Sequence, residues 1–254
     1  MVSHDILCRY ACWPTGLARM IMGALTNPRS KVGKPVMSVQ TTAFAEKRLQ
    51  HAKKRLPKHI GFIPDGNRRW ATAHGLPREQ GYARGIAPGL ALFEECKAMG
   101  VEEVSVYGFT QDNTRRPAVQ SQQFRAACVA FAREVTRRGA SLLVLGNERS
   151  PQFPAELEEF RTRQGEGIKV NFLVNYDWQW DLAGLKEGAL RSADVSQLDL
   201  IVRWGGGRRL SGFLPVQSVY ADIFVIDALW PDFEPGHLED ALSWLARQDQ
   251  TLGG

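Results

Sequence analysis

His59-Ile60-Gly61-Phe62-Ile63-Pro64-Asp65-Gly66-Asn67-Arg68-Arg69-Trp70-Ala71 is an apolar run that ends in an acid, a glycine and two arginines. Its first part, Ile60–Pro64, reads as a buried strand, because a run this short and apolar has no exposed face. Five further runs have the same character: Glu103–Phe109, Ser141–Leu145, Lys169–Asn175, Asp199–Arg203 and Asp222–Ile226. Longer segments separate them, including Gly85–Met99, Ser121–Arg138 and Pro154–Gln164, each long enough for a crossover helix. Strand and helix in alternation predict one α/β domain with a mostly parallel central sheet and helices on both faces. Ligands of such sheets lie beyond the carboxyl ends of the strands, so the loop after each strand carries the functional information.

The loop after the first strand places Asp65 at the strand end. A hard cation such as Mg²⁺ uses one or two protein carboxylates and completes its shell with substrate phosphates. Gly66 and Asn67 permit a tight turn, and the following helix start offers free N–H groups to phosphate oxygens. Arg68, Arg69 and Arg78 add donors suited to a diphosphate. An N-capping aspartate with solvated arginines would give the same pattern. The loop after the fifth strand reads Arg203-Trp204-Gly205-Gly206-Gly207-Arg208-Arg209-Leu210-Ser211. Three glycines let the backbone approach an anion, and Arg203, Arg208, Arg209 and Ser211 surround it with donors. The glycine spacing matches neither a P-loop nor a dinucleotide fingerprint. A flexible basic loop for nucleic acid stays open at this point. The loop after the second strand, Phe109-Thr110-Gln111-Asp112-Asn113-Thr114-Arg115-Arg116-Pro117, adds a hydroxyl, carboxamides, a carboxylate and two arginines to the same sheet edge. Two anion loops on one edge suggest two phosphorylated substrates or one long diphosphate.

The chain has 254 residues, 44% hydrophobic and 23% charged, as expected of a domain with a full core. Its net charge of +5 and pI near 9.1 suit nucleic acid, an anionic surface or an acidic small substrate. Cys8, Cys12, Cys96 and Cys128 have no zinc spacing and read as free thiols of a reducing, cytoplasmic compartment. No run of about 18 apolar residues is present, which limits membrane contact to the periphery. Residues 1–57 read as an N-terminal extension with a leading helix, and 58–254 as the catalytic domain. Residues 1–36 hold one acid, Asp5, against Arg9, Arg19, Arg29, Lys31 and Lys34. They admit several readings: a targeting peptide, a disordered extension, or an untranslated stretch with translation beginning at Met37.

The three loops, in this order, resemble the cis-prenyltransferases, the undecaprenyl diphosphate synthase family. The resemblance spans about residues 58–250 and rests on Asp65–Ala71, on an altered motif at Gln111–Pro117, and on Asp199–Gly206, Arg209–Leu214 and Trp230–Phe233. It implies condensation of isopentenyl diphosphate with an allylic prenyl diphosphate, with Mg²⁺, in a homodimer. Asp65 would be the metal ligand and key catalytic carboxylate, with Asp222 as a second ligand. Gly66, Asn67, Arg68, Arg69 and Arg78 would hold the allylic diphosphate, with Trp70 and Tyr82 nearby. Asn113 would stand where the condensing substrate loses its proton, within the Thr110–Thr114 stretch, and Arg116 would position that substrate. Arg203, Arg209 and Ser211, with Leu210 between the last two, would grip its diphosphate. Phe109 or Trp70 would shield developing positive charge.

The sequence also departs from the family pattern. Tyr82 stands for a histidine, Asp112 for a glutamate, Thr114 for a tryptophan and Gly207 for a glutamate, while Trp178 and Trp180 replace small residues. These changes suggest a divergent member with a short product. Tyr82, Gly207 and Pro215 are similar to cyclolavandulyl diphosphate synthase, which joins two five-carbon units head to middle. Three alternatives accompany the main reading. One is irregular coupling of that kind. Another is a non-catalytic partner subunit, which the retained Asp65, Arg203, Arg209 and Ser211 oppose. A nucleic-acid-binding domain is disfavoured, because the basic residues punctuate strand ends rather than form a continuous face.

Overall fold

The computed structural model of the protein describes residues 56–248. The extension, Cys8, Cys12 and Met37 therefore lie outside the described residues. Six strands form one sheet in the order β3-β4-β2-β1-β5-β6, and every neighbouring pair is parallel. They are β1 (His59–Ile63), β2 (Glu103–Tyr107), β3 (Ser141–Leu145), β4 (Lys169–Leu173), β5 (Leu200–Arg203) and β6 (Asp222–Val225). All six expected strands are present. Most end one or two residues earlier than their apolar runs, because Phe109 and Asn175 continue into the loops that build the site. The helices are α1 (Asn67–Ala73), α2 (Gln80–Arg84), α3 (Ile86–Met99), α4 (Ala118–Arg137), α5 (Trp178–Ala183) and α6 (Gly236–Leu245). The helix expected over Pro154–Gln164 is a 3₁₀ run, Ala155–Arg161.

The two faces of the sheet are covered differently. Alternate strand residues, Ile60 and Phe62, Val104, Leu142 and Val144, Val170 and Phe172, Leu200 and Val202, pack with Leu92, Phe93 and Cys96 of α3, Cys128, Phe131 and Val135 of α4, and Leu238 and Leu245 of α6. The opposite face buries Ile63, Leu143, Leu145, Leu173 and Ile201 under Val195, Leu198, Phe213 and Leu214. Those last four come from irregular chain, with only the short α5 nearby. Long crossover helices thus lie on one face, not on two. The chain between β4 and β6 is drawn instead into covering the second face and shaping a loop.

That second face also carries a polar cluster near the amino ends of the strands. His59 Nε2 lies 2.8 Å from Ser105 Oγ, and its Nδ1 faces the carbonyl oxygens of Ser196 and Gln197 at 3.0 and 3.2 Å. Asn171 Nδ2 donates to Glu103 Oε1 at 2.6 Å and to Ser105 Oγ at 3.0 Å, and Arg163 donates to Asn171 Oδ1 at 2.6 Å. Burial holds the His59 imidazole below its ordinary pKa, outweighing Glu103 at 4.0 Å. The neutral ring then donates from Nδ1 and accepts from Ser105.

Candidate active site

The strand order reverses around β1, which has β2 on one side and β5 on the other. The loops that leave these three strands meet in an open bowl of about 970 Å³ at the carboxyl edge of the sheet. Gly66 makes the turn out of β1 with φ 118°, a conformation that disfavours any side chain, and α1 begins at the next residue. The turn leaves the Asp65 carboxylate facing the bowl, 37% exposed. Gly205 lies against the same turn: a Cβ there would sit 2.4 Å from Arg69 Nη2 and 2.9 Å from the Asp65 carbonyl oxygen. The loop after β5 can therefore rest directly on the loop after β1.

Asp65 is held by two guanidinium groups. Arg69 Nη2 is 3.3 Å from one carboxylate oxygen, and Arg203 Nη2 donates to the other at 2.9 Å. Arg203 is 4% exposed. Its Nη1 donates to the Arg209 carbonyl and, at 2.9 Å, to Ser211 Oγ, while its Nε is buried without a hydrogen-bond partner. Ser211 has φ 53°, in the left-handed region, and Tyr107 at the end of β2 donates its hydroxyl to the Ser211 carbonyl at 2.9 Å. One bonded chain, Tyr107–Ser211–Arg203–Asp65–Arg69, thus ties the ends of β2, β5 and β1 together.

Most of the expected residues are brought to this bowl. Arg68, Arg69, Arg78 and Asn67 line one wall, and Arg209 and Ser211 the opposite one. Thr110, Asp112, Asn113 and Arg116 come from the loop after β2, where the Asn113 side chain caps the Thr110 N–H at 3.3 Å. Tyr82 closes the inner end. Several expected residues lie elsewhere. Trp70 turns outward, donating to Asp232 at 2.6 Å and stacking on His74. Gln111 bonds through its backbone to Tyr176, and Thr114 caps the Gln111 carbonyl at 2.7 Å. Leu210 packs into the second core. Asp222 begins β6, level with Leu200 and so with Ile60. Asp65 is five residues further along, about 16 Å at the rise of a strand, so one chain does not bring these two carboxylates to a common metal. The carboxylate that β6 delivers to the bowl end is Asp227, exposed and 3.9 Å from Arg208.

Below the bowl lies an apolar cavity of about 70 Å³, floored by Leu92, Phe93, Phe131 and Phe172 between α3, α4 and the sheet. Tyr82, Tyr107, Gly108 and Phe124 border both spaces and form the neck between them. Tyr107 and Phe124 escape a reading of the anion loops because neither carries charge. Their signal is an aromatic at a strand's carboxyl end and another nearly two turns into the following helix. Phe109 is fully buried and borders neither space, so it cannot face a substrate. Trp178, which replaces a small residue of the family pattern, presses on the loop after β5, where a Gly212 Cβ would lie 2.8 Å from its ring.

Among the described residues no group of three or more His, Cys, Asp or Glu side chains could enclose a metal. The single carboxylate of Asp65, open to a basic bowl, fits a hard cation only where a bound diphosphate supplies further oxygens.

Comparison with known proteins agrees with this architecture. The family model described as "Putative undecaprenyl diphosphate synthase" matches residues 63–193 and 184–253. An isoprenyl transferase of Neisseria meningitidis serogroup B is 30% identical over 229 residues, covering 81% of this chain and 92% of that protein. One from Leptospira interrogans is 29% identical over 230 residues, covering 78% and 95%. A ditrans,polycis-undecaprenyl-diphosphate synthase of Aliivibrio fischeri is 28% identical over 230 residues, covering 78% and 89%. The crystal structure of lavandulyl diphosphate synthase from Lavandula x intermedia, in complex with dimethylallyl diphosphate, shares the fold with a TM-score of 0.67 at 20% identity, covering 79% of this chain and all of that one. With its motifs placed around one bowl, and the family model matched along nearly all of the described residues, the chain belongs to the undecaprenyl diphosphate synthase family of cis-prenyltransferases.

Proposed function

We propose that the protein condenses isopentenyl diphosphate with a short allylic prenyl diphosphate, in the cis sense, to give a short product. The observation that carries this reading is the pairing of a basic bowl with an apolar cavity through an aromatic neck. A prenyl diphosphate has the same two-part chemistry: a polyanionic head and a dry tail. Arg68, Arg69 and Arg78 receive the allylic head, and Arg116, Arg209 and Ser211 the head of the condensing substrate. Arg203, internally bonded, acts by holding Ser211 and Asp65 in place. Asp65 would hold Mg²⁺ together with a diphosphate, and the cation would supply neutralisation of leaving-group charge. Positive charge that develops at the neck faces Tyr82, Phe124 and Tyr107, rather than Phe109 or Trp70. The Asn113 carboxamide stands at the bowl wall, where it can orient the condensing carbon by hydrogen bonding, and the released diphosphate is the base that takes the proton this carbon loses.

The cavity supports a short product. At roughly 25 Å³ per carbon, the ratio at which an apolar cavity of about 150 Å³ takes benzene, its 70 Å³ admits about three carbons, less than one isoprene unit, without movement of the walls. That size also favours a second reading, head-to-middle coupling of two molecules of dimethylallyl diphosphate. As in the family, the active species would be a cytoplasmic homodimer. Exposed Val219, Tyr220 and Ile223 beside the unpaired edge of β6 support a self-association surface, and the buried free thiols of Cys96 and Cys128 suit a reducing compartment. No helix among the described residues is long and apolar enough to cross a membrane.

The test is incorporation of labelled isopentenyl diphosphate into extractable lipid, with five-, ten- and fifteen-carbon allylic diphosphates, in Mg²⁺ and in EDTA. Label is expected only with an allylic partner and Mg²⁺, and is expected to vanish in Asp65→Ala. Equal incorporation by Asp65→Ala would refute the assigned role of Asp65. Absence of label with every partner would refute the regular condensation.

A further inference from the structure

Arg116 is held in an unusual way for a guanidinium at an anion site. Among the described residues its bonding partners are a phenol oxygen and an aromatic face, not a carboxylate. Its Nη1 donates to the Tyr82 hydroxyl at 3.0 Å, and its guanidinium carbon stands 5.7 Å from the Phe124 ring centroid. Tyr82 is itself fixed. It is 4% exposed, and its ring lies flat on Phe124, with centroids 4.4 Å apart and planes 2° apart. Its helix, α2, is seated against α1, because Gly81 lets the Asn67 carbonyl approach where a Cβ would be 2.1 Å away. A carboxylate in the place of this phenol would hold Arg116 equally well and cancel its charge. A neutral acceptor holds the geometry and leaves the full positive charge for a ligand.

We infer that Tyr82 is a positioning residue that fixes Arg116 at the neck to receive the diphosphate of the condensing substrate. The inference rests on reading the bowl as a prenyl-diphosphate site. The same phenol borders the apolar cavity, so the arginine is oriented by the wall along which the prenyl tail runs. The head of the condensing substrate and the tail of the allylic one therefore meet at the same ring.

The test is equilibrium binding by calorimetry of isopentenyl diphosphate and, separately, dimethylallyl diphosphate in Mg²⁺, on the full chain. Four proteins are compared: wild type, Tyr82→Phe, Arg116→Ala and the double variant. Tyr82→Phe keeps the ring on Phe124 and removes only the hydroxyl. It is expected to raise the Kd for isopentenyl diphosphate about tenfold and to leave that for dimethylallyl diphosphate within about twofold. In the Arg116→Ala background the same change is expected to add less than about twofold, since the group it positions is gone. A purely structural role would weaken both ligands alike and would add fully to Arg116→Ala; either of these overturns the inference. Wild-type affinity in Tyr82→Phe overturns it too, while leaving the functional reading intact. Failure of the wild type to bind either diphosphate overturns both.

Discussion

Gly81→Ala isolates one contact on which the site depends. Gly81 lies inside α2 with an ordinary helical backbone, so alanine by itself would favour the helix by about 1 kcal/mol. The new Cβ would sit 2.1 Å from the Asn67 carbonyl oxygen, 2.7 Å from its carbon and 3.2 Å from Ala71 Cβ. A relaxed carbon–oxygen contact is about 3.3 Å, so α1 and α2 must separate by about 1.2 Å. The obstacle is backbone, not a side chain that can swing away. Overpacking of this kind costs about 1–3 kcal/mol, occasionally more, and this contact belongs at the upper end. The net expectation is a loss of about 2 kcal/mol, or about 4–8 °C in melting temperature for a domain of this size. The same shift moves Asn67 and Tyr82, which line the bowl and the neck, so Kd for both diphosphates should rise. Thermal unfolding beside calorimetric binding reads both effects. A rise in melting temperature with unchanged binding would show that α1 and α2 are not packed this closely, and would refute the reasoning.

Three further outcomes are expected. Burial and then the neighbouring Glu239 raise the Glu95 carboxyl to about 7, and one of its oxygens lacks a hydrogen-bond partner. The folded state therefore binds a proton more tightly than the unfolded chain, and the stability this gives below pH 4.5 is lost as pH rises through 7. Glu95→Gln should stabilise the protein at pH 8 by about 1 kcal/mol after allowance for solvent screening, and little at pH 5; urea unfolding at both values checks it. His59 has the opposite sign. Burial lowers its pKa from 6.5, so its contribution is present above that value and lost as pH falls, and a His59→Gln variant should show a flatter decline in urea midpoint between pH 7.5 and 5.5. Phe131→Ala removes the ring that meets Phe172 edge-on at 5.0 Å in the cavity floor; it should cost about 3–5 kcal/mol and lengthen the product, as read by chromatography of the dephosphorylated alcohols.

Much of this was legible in the sequence, for a physical reason. Strands of a parallel sheet are buried on both faces, so Ser141–Leu145 reads as a strand without reference to anything else. Residues that must meet an anion at the end of such a strand are charged or glycine, and Asp65, Arg69 and Ser211 stand out for that reason. The neck was not legible. Tyr107 and Phe124 serve the site through shape, and an aromatic beside a core looks the same whether it faces a cavity or a neighbour. Trp70 was misplaced because a side chain next to Arg69 on a short helix points a third of a turn away, here to Asp232. Asp222 stands apart from Asp65 within one chain, because its place in a motif does not say which end of a strand it occupies; pairing with Leu200 puts it at the far edge. The uneven covering of the two faces was hidden as well, since irregular chain that buries Phe213 and Leu214 has no periodicity to read.

The measurement that tests the central claim most directly is mass spectrometry of the dephosphorylated products formed from isopentenyl diphosphate with each allylic partner in Mg²⁺, with dimethylallyl diphosphate alone alongside. The account expects a short cis-prenyl alcohol, one or a few isoprene units longer than its allylic primer. A ten-carbon branched alcohol from dimethylallyl diphosphate alone would move the enzyme to head-to-middle coupling. Polyprenols of many units, or no product from any mixture with the fold intact, would contradict the account.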